Sequence, residues 1–353
     1  MKKIPILILL AAILTPGITK AASVSQAGVL FLKISPGARP SGMGEAFVAL
    51  ADDATATWWN PAGLAFQNAS ELTLMHANWL PQFHLSDLYF DFVGYVNTVE
   101  DWGTFGGNII FMNYGDIPRT DEIGNDLGTF SAFELATTAA YGSQVNENLG
   151  LGISIKFVYS HLSPLGAGQE KGSGIASVFA LDIGTLYKVP AIPKLQLGAN
   201  LSNMGPKIAY IDRAQADPLP TNLKMGLAYK LLDQEYNRLT LTADVDKELV
   251  TRYSDGSTDP FYIALFTSWY NDGGFMSAEE LDEFIWHLGA EYWYGSLVGL
   301  RCGYWEDSLG KVKPFTIGFS IQYSAYRFDF GYMSAGENHP VTDTMRFSLT
   351  VGL

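Results

Sequence analysis

From Ser70 onward the chain alternates between apolar and polar positions. In 148–162, Leu149, Leu151, Ile153, Ile155, Phe157 and Tyr159 fall on one side. Gly150, Gly152, Ser154, Lys156 and Ser160 fall on the other, with Val158 the exception. The segments 221–232, 237–249, 313–324 and 326–334 repeat the scheme. Successive side chains of a strand point to opposite faces, so a period of two predicts strands. Such segments lie near 71–78, 86–97, 102–113, 133–143, 148–161, 173–189 and 194–203. Others lie near 221–231, 237–247, 283–294, 296–306, 313–323, 326–334 and 344–352, which makes 14.

The two faces identify the solvent. A soluble sandwich would carry many charges on its polar face. Here that face is mostly Gly, Ser, Thr, Asn and Gln with isolated charges, as in a barrel lumen. The apolar faces end in Tyr159, Tyr187, Tyr229, Trp293 or Tyr294, Trp305 and Tyr332, matching aromatic girdles at two membrane interfaces. A sheet in lipid must close on itself to leave no unpaired edge. The expected fold is therefore all-β: an antiparallel transmembrane β-barrel of about 14 strands over 71–353, with a short plug in its lumen.

Composition agrees. Charged residues are 16% of the 353, against roughly 25% in soluble domains. The net charge of -14 disfavours nucleic acid as a partner. Lys2 and Lys3, the apolar run 4–14 and the small-x-small site Thr19-Lys20-Ala21 read as a signal peptide over 1–21. The single cysteine, Cys302, excludes a lipid anchor near the amino terminus and an internal disulfide.

Connections of two lengths alternate. Val145–Asn148, Val189–Pro193 and Gly295-Ser296 read as periplasmic turns, and 114–132, 162–172, 204–220 and 248–282 as outward loops. The last holds an apolar stretch with Phe261, Tyr262, Phe266, Trp269 and Tyr270, then an acidic helix over 277–284 with Ser277 as its N-cap. It reads as a loop over the barrel mouth or a partner-binding surface; an extra strand would make the count odd.

Residues 22–70 precede every strand and are rich in Gly and Ala, as a stopper for a wide lumen would be. A helix is expected over Gly42, Met43, Gly44, Glu45, Ala46, Phe47, Val48, Ala49 and Leu50, entered at Ser41. A tight turn is expected at Asn60, Pro61, Ala62 and Gly63, with φ > 0 at the glycine. Trp58 and Trp59 would supply bulk against the wall. Charges assigned to the lumen are Asp91, Glu134, Lys156, Asp182, Lys224, Asp244, Glu291, Arg301, Arg327 and Asp329. They read as mutual ion pairs, with Asp52 and Asp53 anchoring the plug to Lys156, Arg301 or Arg327.

The stretch "GARPSGMGEAFVALADDATATWWNPAGLA" (37–65) and the ending "YRFDFGYMSAGENHPVTDTMRFSLTVGL" resemble the PorV/PorQ family of outer-membrane proteins, related to FadL-type fatty-acid transporters. The resemblance implies a plugged barrel of 14 strands in the outer membrane, in contact with its lipid. It also implies a non-enzymatic part in type IX-like protein export. There, outer loops would hold exported proteins with C-terminal sorting domains or a surface protease. The alternative is a FadL-like channel for a hydrophobic small molecule, and a weaker one a lipid-modifying enzyme. No metal site or cofactor is expected: the five His form no ligand pattern, and no Gly-x-Ser-x-Gly elbow occurs.

Overall fold

The computed structural model describes residues 27–121, 123–164, 173–210, 212, 215–270, 277–337 and 339–353. The predicted leader over 1–21 and most of the 162–172 loop lie outside them. The alternating segments form β1 (Glu71–Asn78), β2 (Tyr89–Val99), β3 (Gly103–Thr120), β4 (Asp126–Asn146) and β5 (Leu149–Ser163). Next come β6 (Gly174–Lys188), β7 (Leu195–Met204), β8 (Asn222–Asp233), β9 (Asn237–Glu248) and β10 (Ile285–Tyr294). The set ends with β11 (Val298–Asp307), β12 (Phe315–Tyr323), β13 (Tyr326–Ser334) and β14 (Thr344–Gly352). Each strand pairs antiparallel with its sequence neighbours, and β1 closes the ring on β14, with Glu71 opposite Gly352 and Ala77 opposite Arg346.

The burial pattern is that of a barrel in lipid. Leu151, Ile153 and Ile155 are 47%, 49% and 50% exposed, while Ser154 and Lys156 beside them are each 2% exposed. Polar groups face in and apolar ones face out, the inverse of a soluble core. Tyr89, Phe111, Phe133 and Tyr159 form a band of rings across the outer wall, with centroids 6.1, 5.7 and 6.0 Å apart.

Two expectations are corrected. Residues 114–132 are mostly strand: β3 and β4 continue as a hairpin beyond the wall, pairing Ile117 with Phe130 and Thr120 with Asp126. Asp91 faces outward, where its carboxylate meets Nδ1 of His76 at 2.7 Å. Phe90 and Phe92 take the inward positions; apolar residues occupy both faces of β2 here, so alternation misassigns the side. The 248–282 connection is a loop, as expected, and adds no strand; its apolar stretch forms the short helix α3 (Phe261–Thr267), and the expected acidic helix α4 (Ala278–Asp282) follows with the Ser277 side chain accepting from Glu280 N–H.

Residues 27–70 enter the bore from the long-loop end, where Gly28 N–H donates to Pro218 O. They descend to the short-turn end and join β1 at Glu71. Their helices are brief: α1 (Ala38–Ser41), α2 (Ala56–Trp59), and 3-10 turns at Leu30–Lys33 and Pro61–Phe66. The predicted helix over 42–50 is instead a succession of turns, with Gly44 and Glu45 both at φ 61°. Nor does Gly63 take positive φ. Asn60 caps the 3-10 turn, its side chain accepting from Ala62 N–H at 3.1 Å. Pro61 supplies the first φ, and Gly63 is needed because a Cβ there would collide with Ala51 O.

Candidate functional site

The inner segment meets the wall backbone to backbone, and the wall makes room with glycine. A Cβ on Gly152, Gly184, Gly198, Gly289 or Gly303 would collide with Pro61, Asn60, Val48, Met43 or Gly44 respectively. On Gly331 it would lie 2.6 Å from Ala38 O. These glycines belong to six strands around the bore, all on the lumen face. The alternation Gly150, Gly152, Ser154 therefore encodes a socket.

Irregular backbone in that socket needs partners for its polar groups, and the polar wall supplies them. Ser348 Oγ accepts from Ala38 N–H and Thr316 Oγ1 from Gly44 N–H, each at 2.9 Å. Asp244 Oδ2 takes Phe47 N–H and Val48 N–H at 2.7 and 2.8 Å. Asn200 Nδ2 donates to Trp59 O at 3.1 Å and Gln144 Nε2 to Ala65 O at 2.9 Å. Asn60 Nδ2 donates to Val48 O within the segment at 2.8 Å and to Thr185 O on the wall at 3.0 Å.

The apolar interior of the segment is small but tight. Met43, Ala46, Phe47 and Ala62 are fully buried. Trp59 stands edge-on to Phe47 at 5.8 Å and to Trp58 at 4.8 Å, and donates from Nε1 to Pro36 O at 3.0 Å.

A closed ring of charges ties this segment to three strands. Arg39 binds Glu291 through two parallel hydrogen bonds of 2.7 and 2.8 Å. Glu291 also accepts from Arg301 at 2.8 Å, and Arg301 lies 3.3 Å from Asp329. Asp329 accepts from Arg327 at 2.9 Å, Arg327 donates to Asp53 at 3.0 Å, and Asp53 returns to Arg39 at 3.2 Å. Every cation touches two anions and every anion two cations, the arrangement in which buried charges offset their own desolvation. Asp52 adds a 2.5 Å bond to Arg39 at the short-turn side. Of the predicted anchors, Asp53 reaches Arg327, whereas Asp52 stays within the segment. Lys156 binds Asp182 at 3.3 Å and Asn203 at 2.5 Å, away from it. Arg301 enters the ring through Glu291 and Asp329.

Arg39 was not singled out from the sequence, where it is a lone cation among small residues. Two further contacts were also missed. Glu45 pairs with Arg346 at 3.1 Å, and His287 bridges Gly44 O at 2.9 Å and Asp246 at 2.7 Å. The remaining lumen charges are satisfied locally: Glu134 by Tyr114 and Ser160, and Lys224 by Asp246. Among the described residues, no cluster of His, Cys, Asp and Glu is arranged to hold a metal.

At the long-loop end the β9–β10 connection is pinned by Lys247. This lysine is 1% exposed, contacts Glu280 at 2.8 Å and Glu283, and sits between the rings of Trp269 and Phe284. Arg252 ties the same connection to Asp217 at 2.9 Å, and Lys207 donates to Thr258 O at 2.5 Å. Helix α3 then turns Tyr262 and Phe266 outward at 59% and 71% exposure, and Tyr270, three residues past its end, is 62% exposed. Phe261 and Trp269 are half-buried beneath.

Solved structures share this architecture. The toluene transporter TbuX of Ralstonia pickettii superposes with a TM-score of 0.53 at 17% identity, covering 90% of this chain and 98% of its own. The toluene transporter TodX of Pseudomonas putida gives 0.55 at 15% identity, covering 90% and 96%. Both likenesses establish the fold. Among curated proteins none matches significantly. The family model described as type IX secretion system protein PorV matches residues 18–255, and with the closed barrel around it this match places the chain in the PorV family of outer-membrane β-barrel proteins.

Proposed function

We propose that this barrel is a non-enzymatic component of type IX-like protein export. It would hold exported proteins or a surface partner on its long-loop end, with nothing passing through its bore. The observation that carries this reading is the outward pair Tyr262 and Phe266, one helical turn apart on α3, with exposed Tyr270 just beyond the end of that helix, on a loop pinned by buried Lys247. Exposed aromatics on a supported loop suit protein recognition, and among the described residues the inner segment fills the middle of the lumen. The test is a strain carrying Tyr262→Ser, Phe266→Ser and Tyr270→Ser. Its surface proteins should accumulate in the periplasm while the barrel still reaches the outer membrane. Unchanged surface display would contradict the reading.

A second reading, uptake of a hydrophobic small molecule, draws on one feature. Between the inner segment and the long loops lies a cavity of about 260 Å³ walled in part by Leu32, Trp58, Trp79, Trp305 and Met333. Proteins of this fold include the toluene transporters named above. A null strain with normal secretion but lost uptake of toluene or a fatty acid would favour it over export.

A further inference from the structure

We infer that the short-turn mouth of the lumen, periplasmic in barrels of this kind, carries a pocket for the carboxylate terminus of a periplasmic polypeptide. The pocket has a volume of about 360 Å³ and lies on the opposite side of the plug from the cavity described above. Three adjacent strands build its basic wall. Lys188 on β6 stands opposite Gln196 on β7, which stands opposite Ala228 on β8, and Lys230 follows two residues on along the same face. All three polar side chains line the pocket together with Phe66 of the plug.

The charge pattern singles this place out. Lumen cations elsewhere are paired: Lys156 with Asp182, Lys224 with Asp246, Arg301 with Glu291, Arg327 with Asp329 and Arg346 with Glu45. Among the described residues, neither Lys188 nor Lys230 has a carboxylate within ion-pair distance. Lys188 Nζ instead rests over the Phe66 ring, 3.7 Å from its centroid. In a chain of net charge -14, two lysines on one wall that reach no carboxylate offer a site for an incoming anion.

The remaining walls select among anions. Phe66, Leu50 and Leu186 offer an apolar surface beside the lysines, where a terminal side chain can pack. Asp52, tied to Arg39, and Glu71, which accepts from Ala54 N–H at 2.7 Å, also line the pocket; their remaining lone pairs can take amide N–H groups, and their charge repels a second anionic group. A peptide end presents one carboxylate, amide donors and a side chain, and matches all three walls, as in other carboxylate-capturing sites. A free phosphate matches only the first. The pocket does not depend on the export reading, since its floor is the plug itself.

The test uses the full chain in detergent micelles and a short dye-labelled peptide ending in leucine, as the free acid and as the amide. Fluorescence anisotropy should show the acid binding and the amide binding about tenfold more weakly, the loss expected for one charge-assisted hydrogen bond. The Lys188→Gln, Lys230→Gln double variant should lose binding to a similar degree. If that variant fails to assemble, Lys188→Arg with Lys230→Arg keeps the charge and should keep binding. Inorganic phosphate at equal concentration should leave the acid peptide bound. Equal binding of acid and amide, no binding at millimolar peptide, or displacement by equimolar phosphate would each overturn the proposal.

Discussion

Arg39 is the residue on which the docked segment turns. Its guanidinium is 7% exposed and joins Glu291, Asp52 and Asp53. Removing one member of a buried ionic network leaves its partners uncompensated, at a cost of about 3–5 kcal/mol. Arg39→Gln should therefore lower the temperature at which the heat-modifiable barrel band is lost on gels; an unchanged midpoint would mean the ring contributes little. Asp53 gives the ring a pH limit. Burial alone raises its carboxyl, but Arg327, Arg39 and the Thr55 hydroxyl more than offset this and hold it below the usual aspartate range. Its ionised form thus stabilises docking at every pH above the free value of about 3.9, and the contribution is lost only as pH falls through the lower folded value. The part of closure that depends on Asp53 should persist from neutral pH to about pH 4, so the gap in planar-bilayer conductance between the native barrel and Asp53→Asn should close only below it. A gap that closes already near pH 6 would point to another group. At this scale the sequence is partly legible: Arg327 stands among three candidate partners of Asp52 and Asp53, but Arg39 carries no pattern, because ion pairs between distant segments leave no trace in periodicity.

The strands were legible because lipid on one side and a polar socket on the other impose opposite chemistries on alternate residues. What alternation does not convey is length beyond the wall, so the hairpin of β3 and β4 past Asn113 read as loop. It also fails where both faces are apolar, as at Phe90, Asp91 and Phe92. Turn-rich segments such as 42–50 are set by the wall around them, and a run of helix-compatible residues misleads there. The wall glycines make the element-scale prediction. Gly303→Val should expel the inner segment or prevent assembly, seen as raised conductance or loss of the heat-modifiable band, because its side chain would meet Gly44. Gly352→Ala, with its nearest neighbour 3.7 Å away, should change neither. For the β9–β10 connection, Lys247→Met should speed protease cleavage within 249–284 on intact cells, since it strands the buried Glu280. Unaltered cleavage would show that packing of Trp269 and Phe284 suffices.

The whole molecule combines a lipid-facing wall with a lumen filled by the chain's own first described residues. Both halves follow from the same alternation: outward Leu, Ile and Phe meet lipid, while inward Gly, Ser, Thr and paired charges receive backbone. In the proposed arrangement binding falls to the two ends, the exposed aromatics of the β9–β10 connection outside and the lysine pair at the short-turn mouth. This division depends on the bore being shut, and single-channel recording in a planar bilayer tests it most directly. The full-length barrel should insert and remain silent, whereas the barrel lacking residues 27–67 should conduct as an open pore. A full-length protein that conducts as strongly as the deletion would contradict the account.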